Sequence, residues 1–217
     1  MKAPINLILG ICIIAFGFSL ARAAAPDSLW MRAYGDSNIQ QCRDIIETLD
    51  GGYAFAGYTV LPGVGIPNHY DVYVVRLDSD GDTLWTNHYG GLGNDVGYAL
   101  RQTSDGGFIV AGYSAYPDDP SNRDVYLVKL DSLGAQQWEK RYGGAGRDEA
   151  YDVQVLAGGS GFILTGYTAT PGPFDSDVYL LLTNSSGDTL ITRQFDYTIN
   201  DAGYSVCQTT NGFLVCG

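Results

Sequence analysis

Histidine is almost missing from this sequence, which has only His69 and His88 among 217 residues. With so few imidazoles, and with no HExxH, no GxSxG and no cysteine–histidine ligand spacing, the chain lacks the residue sets of zinc and serine hydrolases. The ligand set of copper oxidases is equally missing. His69 precedes Asp71 in a loop and His88 stands beside Tyr89 in a strand, so both read as exposed or hydrogen-bonded histidines rather than a catalytic pair. Cysteine is sparse as well. Cys12 lies inside an apolar N-terminal run and follows Ile11, where a lipoprotein signal needs a small residue. The remaining Cys42, Cys207 and Cys216 are odd in number and fit neither a disulfide framework nor a metal spacing. A pairing of Cys207 with Cys216 across a hairpin stays open beside the reading that both are small apolar strand residues.

After the first 20 residues no long apolar run occurs. The N-terminus itself has Lys2, an apolar stretch from Ile5 to Leu20, and then Ala21-Arg22-Ala23, the small-x-small pattern of signal peptidase sites. The stretch is shorter than the ~20 residues of a bilayer span, so export with cleavage is expected ahead of an uncleaved anchor. Residues 1–23 are therefore read as a signal peptide and residues 24–217 as an exported, secreted or cell-surface protein. Basic residues are scarce too. Loss of Lys2 and Arg22 from the 12 basic residues leaves 10 against 24 acidic ones, a net charge of −14. Such a surface repels phosphate backbones, which excludes nucleic acid as a partner and favours solubility.

What the chain has in abundance is glycine, 29 residues, and tyrosine, 16 residues. This mixture suits short strands joined by tight turns and disfavours helix. The residues also repeat. Asp71-Val-Tyr73, Asp124-Val-Tyr126 and Asp177-Val-Tyr179 form one series, and Trp30, Trp85, Trp138 and Ile191 form a second. Members of the second stand four residues before Tyr34, Tyr89, Tyr142 and Phe195. Ala56-Gly-Tyr58, Ala111-Gly-Tyr113 and Thr165-Gly-Tyr167 make a third series, closed by Cys216-Gly217. Asp95, Asp148 and Asp201, each three residues before a Tyr, make a fourth.

A repeat of about 53 residues follows, each copy reading as four short strands. In the second copy these are Val96–Thr103, Phe108–Ser114, Asp124–Asp131 and Gln136–Tyr142, with turn clusters at Ser104-Asp-Gly-Gly107 and Asp131-Ser-Leu-Gly134. The third strand, Val125-Tyr-Leu-Val128, is apolar at consecutive positions, the pattern of a strand buried on both faces. The expected fold is all-β: a β-propeller of four-stranded antiparallel blades with about three and a half repeats. The layout is an N-terminal strand at 29–35, repeats at about 38–90, 94–143 and 147–196, and a partial repeat at 200–217. Because such rings typically have four to eight blades, the chain is expected to be a fragment of a longer product. Leu29 to Tyr34, a fourth strand with no blade before it, is expected to complete the last blade and fasten the ring.

Gly107-Phe-Ile-Val-Ala-Gly112, a loop, Asp124-Val-Tyr-Leu-Val-Lys-Leu-Asp131 and Trp138 together resemble a kelch-type blade. With Tyr142-Gly-Gly144 added, the phrase is similar to the propeller-like repeats of exported, often multidomain bacterial proteins. The resemblance covers Leu29 to Gly217 and implies the fold. It departs from kelch in having Gly112-Tyr113 where a glycine pair is usual, so kelch partners and enzyme activities do not carry over.

Chemistry is harder to find. Asp78, Asp80 and Asp82 alternate as in a calcium loop, but the glycine falls at the fourth place and no Glu stands at the twelfth. Equivalent segments at Asp131 and Asn184 keep only the turn, so a hairpin turn is the first reading and calcium the second. The paired glycines at Gly91-Leu-Gly93 and Gly144-Ala-Gly146 lack the helix that a phosphate loop requires. Asp71, Asp124 and Asp177, like Asp95, Asp148 and Asp201, recur in three copies each and are expected to accept backbone N–H bonds and hold blades together. Trp30, Trp85 and Trp138 are expected to pack blades. Twelve of the 16 tyrosines fall in the repeated series, which marks them as packing. Recognition is expected instead in the variable, proline-containing loops between second and third strands, with Tyr70, Tyr116, Asp118, Asp119 and Phe174 as candidate contacts. The expected function is a non-catalytic binding or structural module of a larger exported protein, with a protein or glycan ligand and no cofactor. Two alternatives are a glycan hydrolase or lyase whose catalytic residues lie elsewhere, and a calcium-stabilised adhesion module.

Overall fold

The computed structural model describes residues 3–9, 12–18, 28–62, 69–117, 119–169, 175–197 and 200–217, with side chains from Met31 onward except that of Pro120. The described chain is all-β with antiparallel pairing throughout, apart from one 3-10 turn at Ala157–Gly159 and a single parallel bridge. Strands β1 (Ala3–Leu9), β2 (Cys12–Phe18) and β3 (Ser28–Ala33) form one antiparallel sheet. Three meanders of the same plan follow. The first is β4 (Gln40–Glu47), β5 (Tyr53–Leu61), β6 (His69–Leu77) and β7 (Thr83–Tyr89). The second is β8 (Asp95–Gln102), β9 (Phe108–Tyr116), β10 (Asp119–Leu130) and β11 (Gln136–Tyr142). The third is β12 (Arg147–Val155), β13 (Gly161–Ala169), β14 (Ser176–Asn184) and β15 (Thr189–Phe195). A hairpin of β16 (Ser205–Thr209) and β17 (Gly212–Cys216) ends the chain. The parallel bridge, between Arg123 and Arg147, joins the second and third meanders at one point.

The strand at Leu29–Tyr34 pairs antiparallel with Cys12–Phe18. One expectation meets a different arrangement. Cys207 and Cys216 do not face each other: the register sets Cys207 against Leu214 and Cys216 against Ser205, and both thiols are free and exposed.

The second meander buries both of its faces. On β9 and β10 of the second, Phe108, Val110, Tyr126, Val128 and Leu130 turn one way and join Ala54, Ala56, Val72 and Val74 of the first. The residues between them, Ile109, Ala111, Val125 and Leu127, turn the other way and join Ala150, Val153, Phe162, Leu164 and Leu181 of the third. Alternation of side chains on a pleated strand is what lets one strand serve two cores. Burying each leucine-sized side chain contributes about 1.5–3 kcal/mol, so the seams between meanders carry most of the driving force.

The repeated Gly-Tyr motif has a local cause. Each first strand has a bulge: Arg43, Tyr98 and Tyr151 are unpaired between Cys42 and Asp44, Gly97 and Ala99, and Ala150 and Asp152. The bulge drives a first-strand carbonyl onto the second strand. A Cβ at Gly57, Gly112 or Gly166 would lie 1.7, 1.8 and 1.8 Å from the carbonyl oxygens of Gln41, Val96 and Glu149. Only glycine fits there.

Turns and buried cations vary together. Arg76 and Lys129 are buried on their third strands and reach the turn carboxylates Asp50 and Asp105, at 2.5 and 2.9 Å. In the third meander Leu182 replaces the cation, and the turn carries Gly158 and Gly159 with no acid, closing as the 3-10 turn.

A candidate binding face at the loop-bearing end

In each meander the second strand ends and the third begins at the end where the first strand begins. Chain entry there is tied to the preceding copy. The Tyr70 N–H donates to Asn94 Oδ1 at 3.1 Å, and the Arg123 N–H to the Gly146 carbonyl at 2.9 Å. The Asp201 N–H donates to the Ser176 carbonyl at 2.7 Å. The repeated acids sit at these joints. Asp95, Asp148 and Asp201 each accept the backbone N–H of the residue four positions earlier, Gly91, Gly144 and Tyr197, at 2.8, 3.0 and 2.7 Å. Asp71 faces Asp95 across the first seam and Asp124 faces Asp148 across the second, and burial, above all, raises Asp95 and Asp148 above the usual carboxylate range. Burial, together with Asp196, Asp175 and Asp201, also raises Asp177.

The bulge residues make a ladder across the copies. Tyr98 and Tyr151 meet edge to face at 5.2 Å between centroids, and Tyr151 stacks on Tyr204 at 5.3 Å. Arg43, in the same position of the first copy, lies 5.6 Å from the Tyr98 centroid and 5.8 Å from that of Tyr58. Tyr113 and Tyr167 flank Tyr98 and Tyr151 at 5.8 Å each. At the centre lies Glu149, buried, accepting from Arg123 at 2.7 Å and from the Tyr167 hydroxyl at 2.8 Å. Arg123 also covers the Tyr113 ring at 4.6 Å. Burial pushes the hydroxyls of Tyr98, Tyr151 and Tyr167 well above the usual tyrosine range. Tyr98, Tyr151 and Tyr167 are half-buried and Tyr204 is exposed, so the ladder combines packing with an accessible rim.

The loop residues singled out from the sequence divide. Tyr70, 36% exposed, packs its ring 4.9 Å from Tyr58, and Tyr116, 39% exposed, donates its hydroxyl to Asp124 at 2.8 Å. Asp119 takes the backbone N–H of Ser121 at 3.1 Å. Asp118 and Phe174 lie outside the described residues. His69 and His88 converge on the buried Asp71, with His88 Nδ1 at 2.9 Å from Oδ2 and His69 Nε2 at 3.7 Å from Oδ1. His88 also borders a polar cleft of about 420 Å³ with Asp36, Thr59, Tyr73 and Thr86.

Asp78 acts as a turn acid. Its Oδ1 accepts the N–H groups of Asp80 and Asp82 at 2.9 and 2.8 Å, as Asp131 does for Leu133 and Ala135 and Asn184 for Ser186 and Asp188. Asp82 is paired with Arg32. Among the described residues no group of three or more His, Cys, Asp or Glu side chains is arranged to hold a metal ion. The tryptophans pack across seams: Trp85 meets Phe108 edge-on at 5.9 Å, and Trp138 meets Phe162 at 6.0 Å. The side chain of Trp30 lies outside those described.

Sequence reasoning missed the link that ties three consecutive copies together. Asp44 accepts the Leu100 N–H at 2.8 Å, and Asp152, two repeats on, accepts the Val206 N–H at 2.9 Å. Between them Arg101 donates to Asp44 and to Asp152, at 2.7 Å each. The signal was present as an Asp at alternate copies, interrupted by Ala99 in the middle one.

No protein-family model matches the chain. The sequence is similar to the "Regulatory protein FlaEY" of Caulobacter vibrioides (strain ATCC 19089 / CIP 103742 / CB 15), at 27% identity over 190 aligned residues and 77% of this chain. The match spans 19% of the length of that relative.

Proposed function

We propose that the chain is a stretch of an exported, kelch-like β-propeller that serves as a non-catalytic binding or scaffold module, with its loop-bearing end as the ligand face. The observation that carries this reading is the repeated seam: successive four-stranded meanders pack against each other through residues at equivalent positions, and the second does so on both faces. The third meander supports further blades, because Val178 and Leu180 are half-buried where their equivalents Val125 and Leu127 are fully buried. Tyr34 supports β3 as a closing fourth strand. Its hydroxyl donates to the Gly81 carbonyl at 2.7 Å, as Tyr89 does to Gly134 one copy later. The apolar N-terminal run is the export signal in this reading.

Glycan arrays and binding screens of exported proteins test the ligand face, using the whole propeller with Tyr70→Ala and Tyr116→Ala beside Gln136→Ala on an outer strand. Interactions weakened tenfold or more by the loop variants and unchanged by Gln136→Ala support the reading. Interactions indifferent to every loop variant count against it.

A further inference from the structure

The seam between the second and third meanders contains two buried acids that no cation neutralises. Asp124 and Asp148 are 7% and 3% exposed. Asp124 Oδ2 accepts from the Tyr116 hydroxyl and Asp148 Oδ2 from the Gly144 N–H, at 2.8 and 3.0 Å. Asp124 Oδ1 is buried with no hydrogen-bond partner. Both carboxylates close on one point: a Cβ at Gly143 would lie 2.4 Å from Asp124 Oδ1 and 2.5 Å from Asp148 Oδ2.

The groups in contact with this pair are neutral, and the Arg141 guanidinium of β11 acts on the Tyr116 hydroxyl bonded to Asp124. The Thr168 hydroxyl approaches Asp148 from β13, the Tyr179 hydroxyl from β14 lies in the field of both acids, and Tyr116 comes from β9. Arg123, the nearby guanidinium, is committed to Glu149. Among the described residues neither Asp124 nor Asp148 is in an ion pair. The equivalent acids of the first seam differ, since Asp71 has His88 and His69, and Asp95 has the field of Arg141.

We propose that Asp124 and Asp148 hold one proton between them, which makes the seam between the second and third meanders an acid-strengthened joint. Two close carboxylates shielded from water do not both ionise readily, so the pair keeps one proton. Burial first, then the charge of Asp124, raises Asp148, with Thr168 and Gly144 pulling partly back. An acid raised on folding contributes stability that is complete below its unfolded value and is lost as pH rises through the folded one. The joint is therefore tightest in acid and slackens toward neutrality.

Urea unfolding of the full chain at a series of pH values between 4 and 7 tests this, with Asp148→Asn, Asp124→Asn and, at an exposed turn position, Asp80→Asn. Asparagine at 148 retains an acceptor for Gly144 and adds a donor toward Asp124. The pair should contribute about one proton to the linkage slope of the wild type, a contribution lost in both Asp148→Asn and Asp124→Asn and kept in Asp80→Asn. Carbon-13 titration of the wild-type carboxyls gives a readout independent of the variants, and one of the pair should titrate above the ordinary range. Three results overturn the proposal: a slope kept by both seam variants, ordinary titration of both carboxyls, or a rise in the unfolding midpoint with added calcium that Asp148→Asn abolishes.

Discussion

The hydroxyl of Tyr89 lies 2.6 Å from the carbonyl oxygen of Gly134, a glycine at φ +81° in the next copy's turn. Tyr142 makes the same bond to Gly187 at 2.5 Å. The end of one fourth strand is thereby fastened to the last turn of the following meander, and burial, before any other influence, pushes the Tyr89 hydroxyl up to about 12. Tyr89→Phe should cost about 0.5–1.5 kcal/mol, read as a lowered urea midpoint with an unchanged m-value. A phenylalanine already stands at the equivalent Phe195.

Asp44 satisfies a backbone N–H of the neighbouring copy and half of Arg101. Asp44→Ala removes the acceptor from Leu100 N–H and should destabilise by about 1–3 kcal/mol. Arg101→Ala combined with Asp44→Ala should cost less than the sum of the single changes, because both act on one network. Additive values in that double-mutant cycle would separate the two residues.

Gly112 is expected to tolerate no side chain. Its Cβ would meet the Val96 carbonyl, a backbone atom held by the bulge, so Gly112→Ala should cost about 1–3 kcal/mol or more by overpacking. Gly144→Ala, with nothing within 4 Å of an added Cβ, should be close to neutral. Thermal melts of the two variants check the contrast.

Asp105 supplies an acid-sensitive contact of opposite sign to the Asp124–Asp148 seam. Burial raises it, but the Thr103 hydroxyl, the Lys129 ammonium and the Gly107 N–H outweigh that and bring it down to about 2. Its folded value is below the unfolded one, so its contribution is complete above the unfolded value and is lost as pH falls from about 4 toward 2. Asp105→Asn should flatten stability against pH in that window, whereas a loss confined to pH above 6 would contradict the assignment.

Much of this architecture was readable in the residue pattern. Strands expected at Phe108–Ser114 and Gln136–Tyr142 appear at Phe108–Tyr116 and Gln136–Tyr142, because alternation and flanking turn residues define short strands well. The double burial of Val125 to Val128 was visible as an unbroken apolar run. The bulge at Tyr98 was not, since one extra residue leaves no mark in composition, although the invariable glycine opposite it was a trace of the close approach. The Asp44–Arg101–Asp152 link was hidden because Ala99 breaks the series, and reading repeats favours what every copy shares. At the loop-bearing end the repeated tyrosines were legible as packing, while their alignment into a ladder depends on how the copies stack.

Leu127 and Leu130 stand three residues apart on β10, both fully buried, one facing the third meander and the other the first. Leu127→Ala and Leu130→Ala, measured by urea unfolding of the full chain, should each destabilise by about 2–5 kcal/mol. A change within about 0.5 kcal/mol at either position, the value of an open surface site, would show that one face of the second meander is uncovered and would contradict the stacked arrangement.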